Sequence, residues 1–141
     1  MTLSVPETVS LGVDSRMQFD GWSDAAIPGQ NAIDYYQAVA AAMGAPATES
    51  FVRLFMVPGM QHCAGGEGAS AFGQLATPNG DRFHSLDAAL EAWVEKAQAP
   101  ESIIASRPAN AKAPRTHPLC PWPQVAKYKG SGSIDDAANF V

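Results

Sequence analysis

A chain of 141 residues has room for one domain and one core, so these residues do not make a two-domain enzyme. Nine Lys+Arg against fourteen Asp+Glu give a net charge of -5 without a basic stripe, which excludes nucleic acid and anionic membrane as expected partners. Hydrophobic residues make up 46% and charged ones only 16%, against roughly 25% charged in a typical soluble domain, so an apolar partner face is expected.

Residues 1–18 lack sustained periodicity until Met17 and Phe19 alternate with Gln18 and Asp20, which predicts a short strand ending near Asp20. Thr2 to Leu11 has no basic start of an export signal, and the apolar stretch around Ala38 to Gly44 falls short of the roughly 20 residues that span a bilayer. Ile33, Tyr36, Val39, Ala40 and Met43 recur at helical spacing. They predict a helix from about Asn31 to Met43, stopped by Gly44 and Pro46. Phe51 to Val57 is a dense apolar run broken only by Arg53 and closed by Pro58-Gly59, as a buried parallel strand is. Met60 to Gly80, rich in glycine and small residues, reads as a long irregular loop.

Ser85 is a helix cap with Asp87 in the first turn. Leu86, Ala89, Leu90, Trp93, Val94 and Ala97 then make the apolar stripe of a second helix ending before Pro100. Ser102 to Ser106 reads as a further short buried strand, which completes an alternation of strands and helices. Beyond Arg107, Pro118, Pro121 and Pro123 around Cys120 are expected to exclude regular structure. The expected fold class is α/β, with a short, mostly parallel sheet flanked by helices.

In such sheets chemistry gathers outside the carboxyl ends of the strands. Two loops qualify: Asp24 follows the first strand and His62 follows the strand ending at Val57. An acid after one strand and a histidine after a later one is the chain order in which an α/β-hydrolase presents the second and third members of its triad. The carboxylate orients the imidazole and the imidazole takes the nucleophile's proton. His84 reads as an exposed residue before the second helix, and His117 as a structural one among prolines. Cys63 and Cys120 are too far apart in sequence for a zinc knuckle or redox pair and on composition read as free thiols. A metal held by His62, Cys63 and a carboxylate remains an alternative, but adjacent donors chelate poorly, and no cofactor or metal is expected.

Beyond spacing, the residues Gly21-Trp22-Ser23-Asp24 and Arg53 through Gly66, with Pro58-Gly59-Met60-Gln61-His62-Cys63 at their centre, resemble the tannase and feruloyl esterase family. Further similarity lies in Ala92 to Lys96, Ala99 to Ala105, Leu119 to Pro123 and Tyr128 to Gly132. The resemblance runs from about Phe19 to the last residue, so residues 1–18 form a poorly matched segment and 19–141 the carboxyl-terminal portion of such a domain. It implies an α/β-hydrolase fold with an inserted lid, acting on esters of phenolic acids, in full-length relatives that are secreted-type esterases. On it, Asp24 and His62 match the triad acid and histidine. Trp22, Met60 and Gln61 are expected at the substrate. Cys63 matches a cysteine bridged to one just before the nucleophilic serine, and Cys120 one paired beyond the Asn-Phe that stands here as Asn139-Phe140.

Departures accompany the matches. No Gly-x-Ser-x-Gly or Cys-Ser-x-Gly-Gly occurs, Val141 stands where a terminal cysteine is expected, and Asp20 replaces the histidine that usually precedes Gly-Trp. Both cysteines are therefore expected to be reduced, and lid and nucleophile to be missing, as in the carboxyl-terminal third of an esterase. Three readings follow. The chain is a hydrolase on carboxylic esters, taking a small-molecule ester, whose normal chemistry needs an upstream part. Alternatively it is a promiscuous hydrolase of activated esters or phosphoesters using His62 as general base or a metal. The third reading is a non-catalytic oligomeric remnant. In each, apolar faces left without neighbours predict a homo-oligomer, in the first place a dimer.

Overall fold

The computed structural model describes residues 15–74 and 80–141. Most of the poorly matched segment, residues 1–14, and part of the expected loop, residues 75–79, lie outside it. The alternation of Met17 and Phe19 becomes β1 (Arg16–Gly21), and the apolar run becomes β2 (Val52–Val57). The two strands pair in parallel from Arg16↔Val52 to Gly21↔Val57. A parallel pair needs a crossover connection. Here it is helical: α1 (Gln30–Met43) and α2 (Ala45–Phe51).

The helix α1 buries Ala32, Ile33 and Tyr36 against Val52 and Leu54 of β2, which is why its apolar residues recur at helical spacing. It stops at Gly44, whose φ of 88° is open to glycine at no steric cost. The proline expected to end the helical region instead begins α2. Pro46 lies in the first turn, where a missing N–H costs nothing, and the Thr48 hydroxyl bonds back to the Gly44 carbonyl at 2.9 Å. Phe51 consequently closes α2 and does not open β2.

The opposite face of the pair carries Phe55 and Val57, which join Met60, Ala69, Phe72, Ala89, Ile103, Ala105 and Leu119 in the larger core, with Met17, Phe19 and Leu86 packed against it. Phe19 meets Phe72 edge to face at 5.2 Å. Ala89, Ala92 and Trp93 are buried on α3 (Leu86–Lys96), whereas Val94 is exposed. Its cap is the predicted one: the Ser85 hydroxyl accepts the Ala88 N–H at 3.4 Å, with Asp87 in the first turn.

The last of the expected strands becomes β3 (Ile103–Ser106), which does not extend the parallel pair but runs antiparallel to β4 (Thr116–Leu119), from Ile103↔Leu119 to Ser106↔Thr116. The expectation that prolines exclude regular structure after Arg107 is therefore corrected. Pro118 sits opposite Ile104 in a two-stranded ladder, where each strand is an edge and a missing N–H leaves no inner ladder broken. An antiparallel bridge at Phe55↔Pro121 and the Trp122 N–H bonded to the Leu54 carbonyl at 2.7 Å tie this pair to β2. The fold is mixed α/β, a short parallel sheet with helices beside it.

Phe55 is wholly buried and Val125 is 75% exposed. Phe55→Ala is expected to cost about 3–5 kcal/mol and Val125→Ala less than about 0.5 kcal/mol, read as the difference in urea unfolding midpoints at equal slope.

Candidate functional site

The register of the parallel pair ends both strands at one level, Gly21 beside Val57. The two following loops are then sewn together: the Trp22 N–H bonds the Val57 carbonyl at 3.1 Å and the Ser23 N–H the Met60 carbonyl at 2.9 Å. This requires glycine at position 21. A Cβ there would lie 2.3 Å from the Met60 oxygen and 2.4 Å from that of Gln61.

From these loops Asp24 and His62 meet, with Asp24 Oδ2 at 2.7 Å from His62 Nδ1. The other carboxylate oxygen, Oδ1, accepts the N–H groups of Ala26 at 2.8 Å and Ile27 at 3.0 Å. The Asp24 side chain is 4% exposed and that of His62 59%. The Ile27 N–H, the His62 hydrogen bond and the Ala26 N–H together hold the Asp24 carboxyl below its usual range, against the opposing effect of burial. A carboxylate at Nδ1 places the proton of the neutral ring there and leaves Nε2 as an acceptor on the open side. Chemically, such an arrangement can serve as a general base with an orienting acid.

A cleft of about 130 Å³ beside the pair is lined by Phe19, Asp20, Gly21, Asp24, Ile27, His62 and Cys63. Asp20 was not among the expected site residues. Burial raises its pKa and the charge of Asp24 adds to this, while the Gly21 N–H and His62 act the other way. Its sequence signals are a polar residue near the end of an alternating strand and its place where the family resemblance expects a histidine.

Of the other expected site residues, Met60 is misplaced: it is wholly buried in the larger core, so it presents no surface to a substrate. Trp22 is 48% exposed and lines a separate groove with Met56, Cys120 and Trp122. Gln61 is exposed beside His62. His84 bonds Asp81 at 2.8 Å on the surface, and His117 packs edge-on against Phe140, where burial lowers its pKa. Cys63 and Cys120 are both free thiols. Cys63 is exposed, whereas burial pushes the half-buried Cys120 upward in pKa. The Ser70 hydroxyl is buried and so is no candidate nucleophile. Among the described residues no three His, Cys, Asp or Glu side chains are grouped to hold a metal ion, and no helix is long and apolar enough to cross a membrane. A larger cleft, about 520 Å³, is lined by Tyr36, Glu49, Arg53, Glu101 and Trp122 and includes neither member of the pair.

The family model described as tannase and feruloyl esterase matches residues 16–141. The chain belongs to this tannase and feruloyl esterase family. An uncharacterized esterase of Xanthomonas campestris pv. campestris is 46% identical over 140 residues, covering 86% of this chain and 24% of its own length. A mono(2-hydroxyethyl) terephthalate hydrolase of Piscinibacter sakaiensis is 46% identical over 126 residues, covering 87% of this chain and 19% of its own. Among solved structures, feruloyl esterase B from Aspergillus oryzae superposes with a TM-score of 0.81 at 28% identity, over 89% of this chain and 26% of that one. A tannin acyl hydrolase from Aspergillus niger gives 0.64 at 27% identity, over 84% and 21%. The chain thus spans about a quarter of the length of these tannase and feruloyl esterase relatives.

The two carboxylates predict opposite pH effects on stability. Asp24, depressed in the folded state, stabilises the fold above its unfolded-state pKa, and this contribution is lost as pH falls through the folded value. Asp20, raised in the folded state, destabilises once pH rises through its folded value and costs nothing when protonated in both states. In urea unfolding across pH, Asp24→Asn is expected to be less stable than the parent at pH 7 and to converge with it in acid. Asp20→Asn is expected to be the more stable at pH 7 and to converge likewise.

Proposed function

We propose that this chain supplies the acid–base part of a carboxylic ester hydrolase, with His62 as general base and Asp24 as the carboxylate that orients it and stabilises its cationic form. The observation that carries the reading is the 2.7 Å contact between Nδ1 and Oδ2, with the acid buried and the imidazole open. Nε2 takes the proton of the attacking hydroxyl and returns it to the leaving alkoxide. With no Gly-x-Ser-x-Gly in the 141 residues, the acyl-enzyme route draws its serine from outside them. The relatives are named for feruloyl esters, for tannin and for mono(2-hydroxyethyl) terephthalate. Esters of small aromatic acids are the substrate class we carry over.

The openness of His62 favours a second route for the chain alone, in which water attacks directly. General-base assistance is worth about 10²–10⁴-fold, enough for activated esters. With p-nitrophenyl acetate we expect slow hydrolysis without a burst, reduced to background in His62→Ala and less severely in Asp24→Asn. An undiminished rate in His62→Ala overturns the assignment.

We propose in addition that the chain self-associates. Among the described residues β1 pairs on one side only, and Trp22 and Ile27 beyond it are about half exposed. Sedimentation velocity is expected to give a dimer at high concentration, and a 14.8 kDa species throughout contradicts it.

A further inference from the structure

The loop that carries His62 is fixed at its base by the Met60 carbonyl and by the Gly68 N–H bonded to the Gly59 carbonyl at 3.2 Å. On its far side Arg107 holds the Glu67 carbonyl through Nε at 3.1 Å and Nη2 at 2.5 Å. Around His62 itself the backbone bonds are local: Ala64 N–H to the His62 carbonyl at 2.7 Å and Gln61 N–H to that of Gly65 at 3.3 Å. These shape the tip without placing it. Cys63, directly after the histidine, stands at a φ of 58°, a left-handed conformation that a residue with a side chain keeps only when its surroundings hold it.

One side chain does so. The Gln74 amide donates from Nε2 to the Cys63 carbonyl at 3.2 Å and to the Ser70 carbonyl at 2.5 Å, while Oε1 accepts the Phe72 N–H at 2.9 Å. Both donors and the acceptor of a primary amide are thereby used on backbone groups. The segment at the other end of this clamp is rigid. Phe72 is 1% exposed in the core, and Ala71 exchanges two backbone bonds with Ser106 at 2.9 and 2.8 Å.

We propose that Gln74 is a positioning residue: by tying the Cys63 carbonyl to the rigid Ser70–Phe72 segment, it holds the preceding His62 at hydrogen-bond distance from Asp24. The proposal rests on the reading of His62 and Asp24 as the acting pair. Its test separates the two. Gln74→Glu is isosteric and keeps the acceptor for Phe72, but it removes both donors and sets a carboxylate against two carbonyls. In proton NMR of the intact chain, the hydrogen-bonded Nδ1–H of His62 is expected as a low-field resonance that Asp24→Asn abolishes. In Gln74→Glu it is expected to broaden or vanish while the far-UV circular dichroism is unchanged. With p-nitrophenyl acetate the same variant is expected to lose about tenfold in kcat with KM little altered. A parental Nδ1–H resonance in folded Gln74→Glu overturns the proposal, and does so whether or not the chain hydrolyses esters. Should the variant not fold, the parent decides: Gln74 side-chain amide protons protected from solvent exchange support the clamp, and protons exchanging as fast as those of an exposed glutamine overturn it.

Discussion

A parallel register that halts two strands at the same height, with no side chain on the last residue of one of them, is the constraint from which the site follows. Because Gly21 stands beside Val57 and carries no Cβ, the backbone leaving β2 can lie across the end of β1. Two backbone bonds close that contact, and only then do Asp24 and His62, separated by a helical crossover in sequence, share one rim. Local propensity contributes little here. The meeting of the pair is a property of pairing and close approach, which are long-range.

Packing divides the labour on the two faces of β2. Val52 and Leu54 take the crossover helix α1, while Phe55 and Val57 enter the core that also receives Phe72, Ile103 and Leu119. That second core reaches directly beneath the histidine loop, since Met60 and Ala69 belong to it. The loop is therefore irregular in backbone but anchored in apolar surface. Its polar anchors, Gln74 and Arg107, reach its carbonyls from segments that are themselves tied to the core or to β3. Such an arrangement lets an exposed imidazole sit on a stiff support.

Much of this was legible in the residues. The 3.6-residue recurrence of Ile33 and Tyr36, the Ser85 cap and the apolar density of Phe51 to Val57 each report a local preference that tertiary structure upheld, except that Phe51 itself closes α2. Asp24 and His62 were legible because strand ends are where side chains face outward together. Three features were hidden, for different reasons. Pro46 reads equally as a stop and as a first-turn residue, and only the Gly44 turn decides between them. Pro118 argues against a strand until its partner Ile104 is known, because edge and interior positions look alike in one dimension. Met60 and Asp20 were not foreseen where they stand: the apolar residue near the histidine went inward and the strand's polar residue came to line the cleft, an outcome set by which way one turn faces.

The two oxygens of Asp24 have separate duties. Oδ1 closes a turn by taking the N–H groups of Ala26 and Ile27, and Oδ2 alone meets the imidazole. Loss of chemistry would leave the first duty intact, so an acceptor at position 24 is demanded by the turn in any descendant, active or inert. His62 has no such second employment. Its ring is mostly in solvent and its one side-chain bond among the described residues is to Asp24. If the pair acts as proposed, the aspartate is the poorer witness to a working site as lineages drift, and replacement of the histidine is what would record that selection on its chemistry had ended.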